Sequence, residues 1–323
     1  YLKGLFTLLK KIQPDVVQVG EANSFLVFQA FIYNFFIRYV LTVECHIHLS
    51  VFMPAKKFNT YIFAHYLKYQ MRKIQSKIYK ILVKKIFSKK IKMCYAISQD
   101  SHHIAIKYLG FEKKNTKIFS LGTDLNIFKP DLEIAENLRF ELGFKENDII
   151  CIYTGRLDDQ KKPHLLSEAI LKLQQMGLNH VKGLFIGGGD INYIEKLKNS
   201  NTVVLPLVNY RELPKYYSIS DIGVWPKQES TSQLDGLASG LPLILNDKVG
   251  TPERVDKCGY LYKDDSVADL AEKIKLLLNE EIRSKFSREA VIKAKQCYSW
   301  KEIAIKYLKE YERLIEIEYN KNL

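Results

Sequence analysis

The chain has 323 residues, of which 47% are hydrophobic and 26% charged, and its formal net charge is +13. This length predicts two domains rather than one, and the composition excludes a disordered chain and is typical of a globular protein with a sizeable core. Five cysteines, an odd number with no CxxC pair, predict reduced thiols in a cytoplasmic protein rather than a disulfide framework.

The first half of the chain alternates short apolar runs with helical periodicity. After an amphipathic start, strands are predicted at DVVQV (15–19), VLTVE (40–44), KMCYAIS (92–98) and TKIFSL (116–121). The most apolar run, residues 24–43, is interrupted by Gln29, Asn34 and Arg38, which favours a helix packed on a sheet over a helix that spans a membrane.

The second half repeats this pattern after a polar helical segment. Its predicted strands are DIICIYTG, KGLFIGG, TVVLP, DIGVWP, LPLILN and GYLYK. Apolar strands that alternate with helices indicate parallel sheets covered by helices on both faces. We therefore predict two doubly wound α/β domains, residues 1–130 and 131–299, and a closing helix, 300–323, that crosses back toward the first. Ligands of such domains bind outside the carboxyl ends of the strands, here in the cleft between the domains.

The turn after DIICIYTG carries Gly155, which permits a tight exit from the strand, and then three basic residues. Arg156, Lys161 and Lys162 precede a helix that begins near Pro163, and proline is favoured in that position. An arginine fork and lysine ammonium groups beside a helix N-terminus form a phosphate-binding arrangement. A solvated basic loop would show the same residues, so this turn alone leaves both interpretations open.

Three consecutive glycines, Gly187, Gly188 and Gly189, follow the next strand. Glycines without a Cβ let the backbone approach a ligand closely. An ordinary tight turn without a ligand explains such a run more often than a ligand does, so on its own it is weak evidence.

The stretch ESTSQLDGLASGLPLIL (229–245) follows DIGVWP. Its hydroxyl residues, Ser230, Thr231 and Ser232, predict an N-cap for a short helix through Ala238, whose first N–H groups would face an anion.

Two carboxylates flank these hydroxyls. Asp235 lies about one turn into the helix and can accept two hydrogen bonds at once, as from the vicinal hydroxyls of a ribose, while Glu229 could receive the hydroxyls of a second group. The other interpretation is that both only complement the helix dipole. Taken with the two preceding turns, they indicate a ligand with phosphates and polyols, such as a nucleotide-sugar.

These stretches resemble the retaining glycosyltransferases of family four, glycosyl transferases group 1. The resemblance is carried in the second half by GRLDDQKK, IGGGD, LPLVNYRELPKYYSISDIGVWP, ESTSQLDGLASGLPLIL, GTPERV and YSWKEIAIKYLKEYERL, and in the first half by PDVVQV, YAISQDSHHIAIKYLGF and SLGTDLNIFKP. It implies the GT-B fold, in which two Rossmann-like doubly wound parallel-sheet domains face a cleft.

By position, the resemblance implies that Arg156 and Lys161 bind the donor's diphosphate and stabilise charge on the leaving group. Asp235 stands at the second glutamate of the family's Glu-x7-Glu motif, the ribose-binding carboxylate. Glu229 is the nearest candidate for the first glutamate, which contacts the donor sugar. The chain departs from the pattern here, because strict spacing would put Lys227 at that first position.

In the first domain, the family has a histidine near the reacting sugar, after the strand that corresponds to VLTVE. This chain offers Glu44, His46 and His48. Glu44 occupies the nearer register, and we take His46 as the candidate; a polar surface histidine is the alternative.

The implied reaction transfers a sugar from a nucleotide-diphosphate-sugar to a glycan or lipid-linked acceptor, with retention of anomeric configuration and with no metal or other cofactor. The protein would contribute orientation and electrostatic stabilisation of the departing diphosphate. Two alternatives stay open: a non-catalytic two-domain protein that binds sugars or nucleotides, and a sugar-nucleotide epimerase of GT-B fold. Nucleic acid is not expected as a partner, because no binding motif or interleaved stacking aromatics accompany the basic residues.

The basic charge is concentrated in one segment, since no acidic residue lies between Glu44 and Asp100. There, apolar residues recur at helical spacing beside a lysine stripe; the apolar set is Leu67, Met71, Ile74, Ile78 and Ile81, and the stripe is Lys73, Lys77, Lys80 and Lys84. We predict a helix that lies on the anionic inner face of a membrane, near a lipid-linked acceptor. A solvated basic face on an ordinary packed helix is the alternative.

The resemblance also predicts an incomplete first domain. A GT-B first domain would place about two further βα units, on the order of 60–80 residues, before the PDVVQV strand. We therefore expect the isolated 323-residue chain to bind nucleotide weakly, to transfer little sugar and to aggregate through an unpaired sheet edge.

Overall fold

The computed structural model describes residues 2–47, 61–87, 90–130, 135–227 and 229–320. The chain forms two compact units: unit 1 comprises Tyr1–Ser120 with Ala304–Leu323, and unit 2 comprises Leu121–Ile303. Within the described residues, unit 1 holds a parallel sheet of four strands and unit 2 a parallel sheet of six. The predicted α/β class with two parallel sheets is confirmed, and the sheet of unit 1 is the smaller of the two. That the first domain is incomplete stays a prediction.

Unit 1 alternates helices and strands along the chain. Its elements are α1 (Leu5–Ile12), β1 (Val16–Val19), α2 (Phe25–Tyr33), β2 (Val40–Cys45), α3 (Tyr61–Lys85), β3 (Ile91–Ala96), α4 (Gln99–Ile104) and β4 (Thr116–Ile118). The strands lie in the order β1-β2-β3-β4. The apolar run 24–43 therefore contains a helix and the start of a strand.

Unit 2 has a longer alternation. Its elements are α5 (Ala135–Glu141), β5 (Ile149–Thr154), α6 (His164–Gln175), β6 (Val181–Ile186), α7 (Ile191–Glu195), β7 (Thr202–Leu205), α8 (Leu213–Ser218), β8 (Ile222–Trp225), α9 (Ser232–Ala238), β9 (Leu243–Asn246), β10 (Gly259–Tyr262), α10 (Val267–Leu276) and α11 (Glu280–Lys293). Its strand order is β10-β9-β8-β5-β6-β7. The residues of β8 and β9 are buried on both faces, which explains why these strands read as continuous apolar runs rather than as alternating ones.

A final helix, α12 (Trp300–Asn320), begins in unit 2, and its residues from Ala304 belong to unit 1. There Leu314 joins Val40, Met93 and Tyr95 in a buried cluster on one face of the sheet.

All five cysteines are free thiols; Cys45, Cys94, Cys151 and Cys258 are buried, and Cys297 is exposed. None of the helices among the described residues is both long enough and apolar enough to cross a lipid bilayer.

Candidate functional site

The strand order of unit 2 places two turns side by side. From β5 the chain adds β6 and β7 on one side of the sheet and then returns to add β8 on the other side of β5. Open parallel sheets bind ligands outside the carboxyl ends of their strands where the order reverses in this way. The turn after β5 (155–162) and the turn after β8 (226–231) are adjacent at that reversal.

Hydrogen bonds tie these strand ends together. The indole Nε1 of Trp225 donates to the carbonyl of Thr154 at 3.0 Å and to Ser232 Oγ at 2.9 Å, and Ser232 Oγ lies 2.6 Å from Ser230 Oγ. Two of the predicted donor-binding hydroxyls, Ser230 and Ser232, are thus engaged with one another and with the end of β5. The third, Thr231, is exposed and stands at the N-cap position of α9 without a capping hydrogen bond from its side chain.

The turn after β5 presents Arg156 to solvent. Gly155 has a φ of 145°, a left-handed value that glycine tolerates and that lets the strand turn sharply. The Arg156 guanidinium forms an ion pair with Asp158 at 3.1 Å and donates to Gln160 Oε1 at 3.1 Å. The side chain of Arg156 is 61% exposed. It can therefore rotate toward an anion without opening a cavity in the core.

Lys161 connects the two turns. Its Nζ donates to the carbonyl oxygen of Glu229 at 2.9 Å, and its backbone N–H donates to Asp158 Oδ1 at 2.9 Å. Burial, followed by the nearby charge of Arg156, lowers the pKa of Lys161. Two cations held this close favour the approach of an anion that would offset their repulsion.

The glycine turn after β6 packs against the first turn. A Cβ on Gly187 would lie 1.7 Å from the carbonyl oxygen of Gly155, and one on Gly189 would lie 2.1 Å from the carbonyl oxygen of Leu157. Only Gly188 has open space at its Cβ position. Gly187 and Gly189 are therefore required by contact between two backbone turns, and close approach to a ligand remains a prediction for this segment.

Glu229 faces the loop that follows β9. Its Oε1 accepts a hydrogen bond from the backbone N–H of Gly250, while its own carbonyl receives Lys161. The carboxylate is half-buried at the head of the turn. Its contact with a donor sugar, implied by the family resemblance, stays a prediction.

Asp235 is buried, with 4% of its surface exposed. Its Oδ1 accepts a hydrogen bond from Thr123 Oγ1 at 2.6 Å. Burial raises the pKa of Asp235 to about 6, although the hydrogen bonds from Thr123 and Tyr210 act in the opposite direction. The ribose-binding role predicted for Asp235 requires a ribose hydroxyl to join Thr123 and Tyr210 at this carboxylate, which has about four lone-pair sites.

Lys227, at the position where strict motif spacing requires a glutamate, lies in a cluster of opposite charges. Its ammonium group pairs with Asp264 and lies 3.5 Å from Asp265. Lys162 also pairs with Asp265, at 2.7 Å. Lys227 is therefore held by carboxylates and does not stand free at the motif position.

Sequence reasoning missed three residues that shape the site: Asp158, Asp264 and Arg254. Asp158 lies within the matched stretch GRLDDQKK, and its spacing from Arg156 was a usable signal. Asp264 follows β10, which lies beside β9, and no local pattern marks it. Arg254 lies within the matched stretch GTPERV, which was a usable signal.

In unit 1, His46 follows the end of β2 and pairs with Glu44. The His46 Nε2 lies 2.8 Å from Glu44 Oε2, and Glu44 Oε1 receives the hydroxyl of Tyr307 at 2.8 Å and the amide of Gln18 at 2.6 Å. The Glu44 hydrogen bond raises the pKa of His46. Burial would raise the pKa of Glu44, but the hydrogen bonds from His46 and Tyr307 outweigh it, and the pKa lies below its usual value.

The other histidine considered, His48, lies outside the described residues. Within the described ranges, no group of three His, Cys, Asp or Glu side chains could hold a metal ion, and the metal-free reaction stays a prediction.

Comparison with known proteins places this geometry in a family. The family model for glycosyl transferases group 1 matches residues 134–296, just over half of the chain. Spore coat protein SA of Bacillus subtilis (strain 168) is 27% identical over 226 residues, which cover 62% of this chain and 59% of that protein. D-inositol 3-phosphate glycosyltransferase 1 of Catenulispora acidiphila is 25% identical over 214 residues, which cover 60% of this chain and 51% of that protein. The matches thus span between half and three fifths of these relatives.

Solved structures share the fold over nearly all of the chain. A glycosyltransferase from Rickettsia africae ESF-5 superimposes with a TM-score of 0.76 at 16% identity, covering 97% of this chain and 80% of that one. Anabaena Alr3699/HepE in complex with UDP and glucose superimposes with a TM-score of 0.70 at 17% identity, covering 95% of this chain and 80% of that one.

Proposed function

The chain belongs to glycosyl transferases group 1, and on this premise we propose that it transfers a hexosyl group from a nucleotide-diphosphate-sugar to a glycan or lipid-linked acceptor, with retention of anomeric configuration. The proposed donor is supported by the complex of the Anabaena protein with UDP and glucose, which shares the fold.

One observation carries the proposal. Arg156 and Lys161 occupy a single turn at the point where the strand order of unit 2 reverses, and Lys161 bridges to the turn after β8. A diphosphate that leaves a sugar develops negative charge, and preorganised cations stabilise that charge most strongly in the transition state. We assign Arg156 and Lys161 to this task.

The remaining assignments concern the turn after β8, the start of α9 and unit 1. Asp235 accepts ribose hydroxyls, Ser230, Thr231 and Ser232 line the donor, and Glu229 contacts the sugar. In unit 1, His46, held by Glu44, acts near the reacting sugar. No metal is required, because the cationic side chains balance the diphosphate.

Turnover tests the proposal directly. The chain is incubated with UDP-, GDP- and ADP-linked hexoses, and release of the nucleoside diphosphate is followed with and without glycan or lipid-linked acceptors. Release that depends on an acceptor supports the transferase. Binding of a nucleotide-sugar without any release is the result expected both of the non-catalytic alternative and of a transferase whose first domain is incomplete, and conversion of the bound sugar to its epimer would favour the epimerase. The configuration of the new glycosidic bond tests retention.

We also propose that α3 makes peripheral contact with an anionic membrane on its cytoplasmic face. Met71, Ile74, Ile78 and Ile81 recur on one side of the helix and are 55–62% exposed, while Val83, on another side, is buried in unit 1. An exposed apolar stripe beside basic residues is the pattern of a helix that lies in a lipid interface. The side chains of Leu67, Lys73 and Lys84, which belong to the same sequence pattern, lie outside the described residues, as do Lys56 and Lys57.

A further inference from the structure

Arg254 is a buried arginine beside the proposed donor site. It lies in a single 3-10 turn, Pro252–Val255, and only 4% of its surface is exposed. Its Nη1 donates to the carbonyl of Ser230 at 3.0 Å and to Oε1 of Gln233 at 2.6 Å. Both acceptors are neutral, and Gln233 is itself fully buried.

The charge of Arg254 is only partly compensated. Across the part of the chain that the structure describes, no carboxylate lies within ion-pair distance of its guanidinium, and its buried Nε makes no hydrogen bond. Burial lowers the pKa of Arg254 and outweighs the charges of Glu253 and Glu229 and a hydrogen bond with Tyr298, which favour the cation. A buried cation without an ion-pair partner is strongly unfavourable, and a hydrophobic residue of similar volume is often more stable in such a place. A contribution to stability therefore explains Arg254 poorly. Its role is better sought in the groups that it holds by hydrogen bonds, the carbonyl of Ser230 and the side chain of Gln233.

Arg254 fixes one peptide plane. The carbonyl of Ser230 points at the buried guanidinium, and the peptide bond to Thr231 is trans. In a planar trans peptide the C=O and the N–H point in opposite directions, so the N–H of Thr231 points away from Arg254. Thr231 is exposed, and its N–H has no acceptor within the described ranges.

Two further hydrogen bonds hold the same turn. The backbone N–H of Gly250, four residues before Arg254, donates to Glu229, and Lys161 donates to the carbonyl of Glu229. The exposed Thr231 N–H thus belongs to the turn that Lys161, a proposed phosphate-binding residue, also contacts. Arg254 holds the same turn from its buried side.

From this arrangement, and resting on the function proposed above, we propose that Arg254 is a positioning residue of the donor site. It holds the Ser230–Thr231 peptide so that the N–H of Thr231 donates to the diphosphate of the nucleotide-sugar. Arg254 does not touch the donor; it acts through the backbone.

The test compares Arg254→Met with Arg139→Met. Arg139 donates to the carbonyls of Ile219 and Asp148 at the opposite, amino ends of β8 and β5. Its side chain is 18% exposed and lies 3.7 Å from Asp221, and it is the control for removing an arginine fork from the same unit. For each protein, affinity for UDP, GDP and ADP is measured together with hydrogen exchange of the Thr231 amide. The corresponding nucleosides serve as ligands that lack the diphosphate.

We expect the wild-type chain to bind one nucleoside diphosphate and to protect the Thr231 amide on binding. Arg254→Met should weaken that binding at least about tenfold, the size of one well-placed hydrogen bond to a charged group, leave nucleoside affinity unchanged and abolish the protection of Thr231. Arg139→Met should match the wild-type chain in all three measurements.

Unchanged affinity and protection in Arg254→Met would overturn the inference, and so would an equal loss in both variants, since that outcome would indicate general destabilisation. If Arg254→Met does not fold, Arg254→Lys makes the same comparison, because one ammonium group cannot reproduce the fork; wild-type behaviour of that variant would also overturn the inference. Failure of the wild-type chain to bind any nucleoside diphosphate is a separate result, which removes the proposed function and this inference with it.

Discussion

Lys161 is the residue on which the proposed chemistry depends most. Its ammonium group joins two turns and shares one of them with Arg156. Replacing Lys161 or Arg156 with alanine should remove roughly 2–4 kcal/mol of transition-state stabilisation, by analogy with loss of one oxyanion donor. Steady-state kcat/KM measures this loss, and Lys172→Ala, an exposed lysine on α6, is the control. Full activity in both site variants would contradict the assignment of Arg156 and Lys161 to the diphosphate.

Asp235 should make stability depend on pH. Burial raises its folded pKa from 3.8 to about 6, so the folded state holds a proton that the unfolded state releases between these values. The stabilisation is complete below about pH 4 and is lost as pH rises through about 6, by roughly 3 kcal/mol.

Asp235→Asn tests this dependence. The amide is neutral at every pH and can still accept from Thr123, so the wild-type chain should lose stability relative to the variant between pH 4 and 7. Denaturant unfolding at several pH values gives the difference. Parallel pH curves for the two proteins would show that Asp235 does not titrate in this range.

The turns after β5 and β6 pack so closely that no side chain fits between them. A methyl group on Gly187 would collide with the carbonyl of Gly155, whereas one on Gly188 would meet open space. Gly187→Ala should lower the free energy of unfolding by about 1–3 kcal/mol, and Gly188→Ala should change it by less than about 1 kcal/mol. Chemical denaturation of the two variants makes the comparison, and equal stability would mean that the turns are not packed as described.

Helix α3 should bind vesicles through its exposed isoleucines. Ile78→Asp places a charge in the middle of the apolar stripe, and its partitioning onto phosphatidylglycerol-containing vesicles at low salt should fall at least about tenfold. Ile191→Asp, at a 64% exposed isoleucine of α7 in unit 2, is the control. Equal partitioning of the wild-type chain onto neutral and anionic vesicles would instead indicate an ordinary solvated basic face.

At the scale of the whole molecule, the sequence predicts the strands, which depend on local pattern. It does not predict the contacts between segments that are distant along the chain. The runs that form β5, β8 and β9 are visible because burial on both faces leaves no room for polar residues. The order of strands is not local. That the turns after β5 and β8 are neighbours follows from the topology, and only the family resemblance anticipated it.

Asp235 and Arg254 show the same limit at the site. The helical position of Asp235 was readable, but its hydrogen-bond partner Thr123 lies 112 residues earlier in the chain. Arg254 lies in the matched stretch GTPERV, but its burial was not readable there, because it follows from the approach of the loop after β9 to the turn after β8. In both cases the surroundings of a side chain are set by residues far away in the sequence.

The central claim is that the two adjacent turns of unit 2 hold the diphosphate of a nucleotide-sugar. Calorimetric titration of the chain with UDP, GDP and ADP, repeated with the double variant Arg156→Ala/Lys161→Ala, tests it most directly. We predict that one of the three binds the wild-type chain and that the double variant loses at least about a hundredfold in affinity, since two charge-assisted contacts are removed. Equal affinity in the two proteins, or no binding by the wild-type chain, would contradict the claim.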